Sequence, residues 1–225
     1  MSADPIRIDF VSDIACPWCA VGLGALEQAL QNLGDAVTVD LHFQPFELNP
    51  QMPPGGQEVI EHLTQKYGIS AQQALQNQQQ IRERAAEVGF LFHPEGRKRV
   101  YNTFNAHRLL MWAEHLGLPL GQLHLKKELL AAYFTLAVDL DDANNLLDAV
   151  TRAGLDRQAA AQVLGSQAHA EEVRKQARYF AEMGISAVPS VIFEGRYLIQ
   201  GAQPVSAFES TLRKCAEDKT TQSSG

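Results

Sequence analysis

The first 46 residues constrain the fold more than any other stretch. Residues 6–11, "IRIDFV", are β-branched and apolar, and residues 37–46, "VTVDLHFQPF", alternate as a half-buried strand does. Between them Leu23, Leu26 and Leu30 recur at helical spacing up to Gly34, and Pro17 suits a first helical turn, where its missing N–H costs nothing. A strand, a helix and a strand in this length imply parallel strands joined by a right-handed crossover.

At the joint between strand and helix stands "DIACPWCAVG", residues 13–22, with Cys16 and Cys19 around Pro17 and Trp18. Unpaired N–H groups and the helix dipole favour negative charge at a helix start, so a cysteine there has a lowered pKa. A thiolate attacks disulfides, and a second cysteine one turn later displaces the mixed disulfide. Cys16 is the expected nucleophile, and Cys19, deeper in the helix, the expected resolving thiol. Trp18 is expected to be a partly exposed, apolar contact surface.

Other readings of the pair fit less well. Structural zinc takes four ligands, and no second C-x-x-C or H-x₃₋₅-H completes a set, so no metal is expected. A permanent disulfide sits poorly with a reducing compartment and with a chain of 225 residues, 45% of them hydrophobic, that can bury a core without staples. "GLGALE", residues 22–27, begins like a dinucleotide loop but lacks the third glycine and lies inside the predicted helix. Cys215, near the C-terminus on a predicted helix, reads as a bystander.

Charge narrows the partners. With 19 Lys+Arg against 26 Asp+Glu the net charge is −7, which repels phosphate backbones and anionic lipid, so neither nucleic acid nor membrane is expected. The basic run Arg97-Lys98-Arg99 reads as a solvated patch. "MSADPIRIDF" has no basic leader followed by an apolar run, and no stretch nears the roughly 20 apolar residues of a membrane span, so a cytoplasmic location is expected.

Residues 57–183 read as helical throughout, with Ser70, Asp141 and Asp156 as N-caps and Gly89, Gly117, Gly154 and Gly184 as stops. The last helix of this stretch, about 168–183, leads back to the sheet. Residues 190–193 and 196–199 flank Glu194-Gly195 as a hairpin, a final helix spans about 204–216, and the polar residues 218–225 are expected to be a disordered tail. The resulting scheme is α/β: residues 1–56 and 184–217 form one domain, β-α-β then α-β-β-α, interrupted by an all-helical insertion over 57–183.

"SDIACPWC", "QPFELNP" (44–50), "NTFNAHRL" (102–109) and "GISAVPSVIF" (184–193) together resemble the DsbA-type thioredoxin-fold oxidoreductases, most closely the cytoplasmic FrnE-like subgroup, over nearly the whole chain. The resemblance implies a thioredoxin-like fold, attack by Cys16, resolution by Cys19, and a cis Pro189 facing the pair, with the backbone of Val188 turned toward an extended substrate segment. Without it, Val188-Pro189 would read as an ordinary turn before an edge strand. Where the subgroup often carries a Tyr and later a Lys or Arg, Ala20 and Leu23 stand here, and losing a nearby cation would leave the thiolate less stabilised. A second cysteine pair, present in some relatives, is replaced by the single Cys215. Two readings of "NTFNAHRL" stay open: Asn102, Asn105 and His107 line a groove between helices and sheet, or Asn102 caps a helix and His107 is a satisfied interdomain residue.

The expected activity is thiol:disulfide exchange through the CPWC pair, with protein or small-molecule thiols and disulfides as partners, glutathione as a conceivable co-substrate and no bound cofactor. The alternative is a glutathione-dependent isomerase or transferase of the kappa-class or 2-hydroxychromene-2-carboxylate isomerase type, which generally presents serine where Cys16 stands. A non-enzymatic holdase would use the same cleft but leaves the paired thiols without a role. Oligomeric state is not legible in the sequence.

Overall fold

In a computed structural model, residues 4–223 are described, and they begin with the expected unit: β1 (Ile6–Ser12), α1 (Pro17–Leu33) and β2 (Val39–Pro45), with β1 and β2 parallel and Phe10 opposite Phe43. The chain continues through β3 (Gln57–Glu58), α2 (Val59–Tyr67), α3 (Ala71–Glu87), β4 (Arg99–Val100), α4 (Phe104–His115), α5 (Gly121–Leu130), α6 (Ala143–Arg152), α7 (Arg157–Leu164) and α8 (Ala170–Glu182). It closes with β5 (Ser190–Phe193), β6 (Tyr197–Gln200) and α9 (Val205–Ser223).

The main sheet has the order β2-β1-β5-β6, and β5 is antiparallel to both its neighbours. Alternation along β1 decides what covers each face. Ile6, Ile8 and Phe10 join the large core with α1 and α9, whereas Val11 meets Phe180 and Ile185 on the other face, next to α8. This is the thioredoxin-like order of strands, with helices on both faces and a largely helical insertion between β2 and α8.

Gly22 and Gly24, which had suggested a nucleotide loop, lie inside α1 and permit close approach. A Cβ on Gly22 would come within 3.0 Å of Pro189 Cγ, and one on Gly24 within 2.8 Å of Val88 Cγ2. Their bare backbones let α1 lie against both the sheet and the end of α3.

Three expectations need correction. The 57–183 region is not helical throughout: β3 and β4 pair as a two-stranded ribbon, Gln57 opposite Val100. The cap of α6 is Asp142, whose carboxylate accepts the Asn144 N–H at 2.9 Å, while Asp141 accepts from Gly55 N–H at 2.5 Å. The last helix runs to Ser223 rather than stopping near 216, because its final turns are anchored. Asp218 accepts from the Tyr197 hydroxyl at 2.6 Å, and Lys219 Nζ reaches Pro5 O at 2.9 Å and Glu194 Oε1 at 3.2 Å. Residues 224 and 225 of the expected tail lie outside the described residues. Among the described residues no helix is long and apolar enough to cross a membrane.

Candidate active site

A buried carboxylate builds the turn that carries the cysteines. Asp13 Oδ1 accepts the Ala15 N–H at 3.1 Å, its Oδ2 accepts the Leu48 N–H at 2.6 Å, and its carbonyl accepts the Cys16 N–H at 3.2 Å. One side chain thereby fixes the turn after β1 and ties it to the loop after β2. Burial alone would push the Asp13 pKa up, but contact with His107 and the Leu48 N–H hold it below the usual carboxylate value. His107 Nε2 lies 3.5 Å from Asp13 Oδ1 and 3.0 Å from Phe46 O, so this histidine is the satisfied interdomain residue of the second reading. From the far side of the turn Arg97 donates to Ala15 O at 3.2 Å, its guanidinium 5.0 Å from the ring centres of both Tyr133 and Phe134. The expectation that Arg97 belongs to a solvated patch is corrected: stacking on two aromatic rings draws its planar head inward.

Cys16 is the N-cap of α1, with extended backbone, and Pro17 takes the first helical position. The Cys19 N–H donates to the Cys16 carbonyl at 3.1 Å, and the Cys16 thiol donates to Val188 O at 3.5 Å. The Val188–Pro189 peptide is cis. Both sulfurs are enclosed, Cys16 at 4% exposure and Cys19 at 0%, while Trp18 between them is 37% exposed. The two thiols are driven apart in acidity. A hydrogen bond from the Cys19 thiol, aided by the N–H groups of Cys19 and Trp18, brings the Cys16 pKa below its ordinary value despite burial. Burial raises Cys19 well above it, and the neighbouring Cys16 raises it further. An ionisable sulfur at the helix start and a protonated one behind it are the roles that attack and resolution require.

Ala20 and Leu23 are buried core residues, and the cations near the site come from elsewhere in the chain. Lys66 of α2 donates to Leu48 O and to Asn49 Oδ1, both at 2.7 Å, and burial lowers its pKa against the pull of Asp13 and Cys16. Lys126 of α5 is fully buried, and burial lowers it to about 8 against the pull of Cys19, Asp13 and Cys16.

A cleft of about 870 Å³ opens over Cys16. Its floor is Cys16, Pro17, Trp18 and Val188, and its walls come from the 46–49 loop, α2 and α3. Asn102, Asn105 and His107 are not among its lining residues. The N-cap of α4 is Thr103 rather than Asn102, which stands one residue earlier and accepts the Phe104 N–H at 2.9 Å, and Asn105 Oδ1 accepts from Arg108 at 2.9 Å. Arg108 is a buried staple, bonded to the carbonyls of Val163, Ser166 and Ala168. Cys215 is buried in the core on α9, as a bystander would be. Among the described residues, the cluster with metal-ligand spacing is His115, His169 and Glu172, whose ligand atoms lie within 4.8 Å of one another. They already pair among themselves, His115 with Glu172 at 3.1 Å and His169 with Glu172 at 3.2 Å, and none lines the cleft.

Comparison with known proteins agrees with this geometry. The probable DsbA oxidoreductase SCO1869 of Streptomyces coelicolor superposes with a TM-score of 0.84 at 32% identity, over 93% of this chain and 89% of that one. At 17% identity the fold alone is shared with a 2-hydroxychromene-2-carboxylate isomerase (TM-score 0.64) and with the cytosolic disulfide reductase DsbM of Pseudomonas aeruginosa (TM-score 0.58), each over 96% of this chain and 98% of the other. The model of the DsbA-like thioredoxin domain matches residues 7–213. A cysteine pair at the start of the first helix, set on that strand order and matched over almost the full length, makes this chain a member of the DsbA-like thioredoxin-domain family.

Proposed function

We propose that this protein is a thiol:disulfide oxidoreductase in which Cys16 exchanges and Cys19 resolves. The observation that carries the reading is the placement of the pair: Cys16 at the N-cap of α1 on the floor of the cleft and Cys19 buried one turn behind it, with the pKa of the first lowered and that of the second raised. In disulfide reduction the Cys16 thiolate attacks the substrate disulfide and expels one thiolate. Cys19 then gives up its proton, bonds to the Cys16 sulfur and expels the second. The reverse sequence oxidises a dithiol. Val188 O, 3.5 Å from Cys16 Sγ, borders the path along which an extended thiol-bearing segment would lie, and Trp18, Phe46 and Leu63 offer that segment apolar contact. Glutathione is a fitting small co-substrate, since the DsbM fold has also been solved with it. A reducing cytoplasm is the compartment this reading assumes, because it keeps the resting pair as thiols.

The glutathione-dependent isomerase reading rests on a shared fold, and the thiol at position 16 speaks against it. The test is insulin disulfide reduction together with dithiol oxidation. Cys16→Ser is expected to abolish both, and Cys19→Ser to accumulate mixed disulfides with substrate. Full exchange activity in Cys16→Ser would refute the proposal, and glutathione-dependent isomerisation surviving in the double serine variant would favour the alternative.

A further inference from the structure

His115, His169 and Glu172 lie outside the cleft, where α4 ends and α8 begins, and thiol exchange has no use for them. One comes from α4 and two from the start of α8, so no spacing in the sequence joins them. The fold does so with a buried brace. Arg108 of α4, 4% exposed, donates to Ala168 O at 2.9 Å and to Ser166 O at 2.6 Å, which fixes the residue just before His169 against α4. His115 stands seven residues after Arg108, two helical turns along the same face. Arg174 of α8 adds a second hold, its guanidinium 4.6 Å from the centre of the Phe104 ring at the start of α4. The two helices thus keep a set separation, and the three side chains meet across it. His169 is the N-cap of α8, yet it makes no capping hydrogen bond. Its backbone is left-handed, with φ 61°, and its ring turns to Glu172 instead.

We propose that His115, His169 and Glu172 form a site for a divalent transition metal of the zinc class, a clip between α4 and α8 that stands apart from the cysteine pair. Two imidazoles and one carboxylate are a ligand set that zinc takes, with water completing four-coordination. The geometry is nearly closed. His115 Nε2 lies 3.1 Å from Glu172 Oε1, His169 Nδ1 lies 3.2 Å from Glu172 Oε2, and all the ligand atoms fall within 4.8 Å of one another. Metal bonds of about 2.0–2.1 Å at tetrahedral angles set ligand atoms roughly 3.3 Å apart. Both carboxylate contacts are therefore already at ligand distance, and a rotation of the half-exposed His115 ring brings in the second imidazole. One side of the cluster is open, since the His115 and Glu172 side chains are 51% and 43% exposed, which leaves room for the water and a path of entry. Occupied, the site joins the helix whose His107 contacts Asp13 to the helix after which the chain returns to Val188. Metal would tighten the frame behind the cleft without touching the thiols.

The experiment is calorimetric titration of Zn²⁺ into the full chain carrying Cys16→Ser and Cys19→Ser, so that the paired thiols cannot take the metal. One equivalent should bind, and the thermal unfolding midpoint should rise with Zn²⁺ concentration. In this background His115→Ala, His169→Asn and Glu172→Gln should each weaken binding by more than the roughly tenfold to hundredfold that loss of a supporting residue costs. His124→Ala, which removes an exposed histidine of α5, should leave binding unchanged. No binding, or binding that the three ligand substitutions leave undiminished, overturns the inference. If a variant fails to fold, ring-nitrogen NMR of the double serine chain decides. Zn²⁺ should shift His115 Nε2 and His169 Nδ1, the atoms that face Glu172, and shifts confined to other histidines overturn the inference. Neither cysteine takes part, so the result stands whatever the exchange assays show.

Discussion

The two sides of the cleft are built by different rules. On the sheet side the cysteine pair follows from a few contiguous residues: β1 ends, Asp13 folds the turn, Pro17 starts α1, and Cys16 Sγ lies 3.5 Å from Val188 O with Cys19 one helical turn behind it. On the helical side the contributors are scattered along the chain. Lys66, Arg97 and Lys126 come from three separate segments, and each is placed by a tertiary contact: Lys66 by the 48–49 carbonyl oxygens, Arg97 by two aromatic rings, Lys126 by Gln122 one turn earlier, whose Oε1 accepts the Phe43 N–H of β2. The sheet side holds the cysteine pair, and the helical side supplies the walls of the cleft and the braced cations around it.

Asp13 joins the two sides, so removing it should do the most damage. Asp13→Ala strips the Ala15 and Leu48 N–H groups of their acceptor and leaves His107 facing an apolar gap. We expect a loss of about 3 kcal/mol or more in urea unfolding. The pH dependence has a definite sign. Because the folded carboxyl lies below its unfolded value, its contribution is present above the unfolded pKa, near 4, and is lost as pH falls through the folded value. Asp13→Asn should therefore flatten the acid limb of the stability curve. An unchanged acid limb would mean that the turn does not depend on this charge.

Next in size is the seam where α1 meets α3. Gly24→Ala puts a Cβ 2.8 Å from Val88 Cγ2 and 3.0 Å from Val88 O, so α1 and the end of α3 must separate. A destabilisation of about 1–3 kcal/mol is expected from such overpacking. Cys16 alkylation should keep its pH midpoint, since the groups acting on that thiol lie in the turn and at the start of α1. A large shift in that midpoint would show that the helical side sets the thiol's acidity through packing.

The smallest effect sharpens the role of Arg97. Arg97→Met removes a hydrogen bond to Ala15 O but keeps apolar contact with Tyr133 and Phe134, so roughly 1–2 kcal/mol of stability should go. The Cys16 midpoint should not move, since the groups acting on that thiol are Cys19, Trp18 and Asp13. A raised midpoint would make Arg97 a charge partner rather than a brace.

How much of this was readable beforehand follows the same division. The β1-α1-β2 unit and the Cys16/Cys19 pair were legible because periodicity, Pro17 and the C-x-x-C spacing are local signals. Lys126 was not, since a lysine in "HLKKELL" looks like a solvated helix position. The only clue was its place four residues after Gln122 on the face shared with Leu125 and Leu129. Arg97 hid in a short basic run for the same reason, because burial by two distant rings leaves no mark on neighbouring residues. "NTFNAHRL" drew attention for a sound reason, yet its polar groups serve the turn into α4, a staple and the Asp13 clamp instead of the cleft. The walls, α2 and α3, were read only as part of the helical stretch 57–183, with no local signal that they face the pair. The overlong α9 was missed because its anchors, Tyr197, Glu194 and Pro5, lie far off in sequence.

The most direct measurement is the rate of iodoacetamide alkylation at each cysteine as a function of pH, read by mass spectrometry on the reduced protein. The account predicts that Cys16 is modified first, with a midpoint below the ordinary thiol value of about 8.5, while Cys19 stays unmodified until well above it. Equal rates at the two positions, or a Cys16 midpoint at or above the ordinary value, would contradict the division of roles on which the proposed exchange depends.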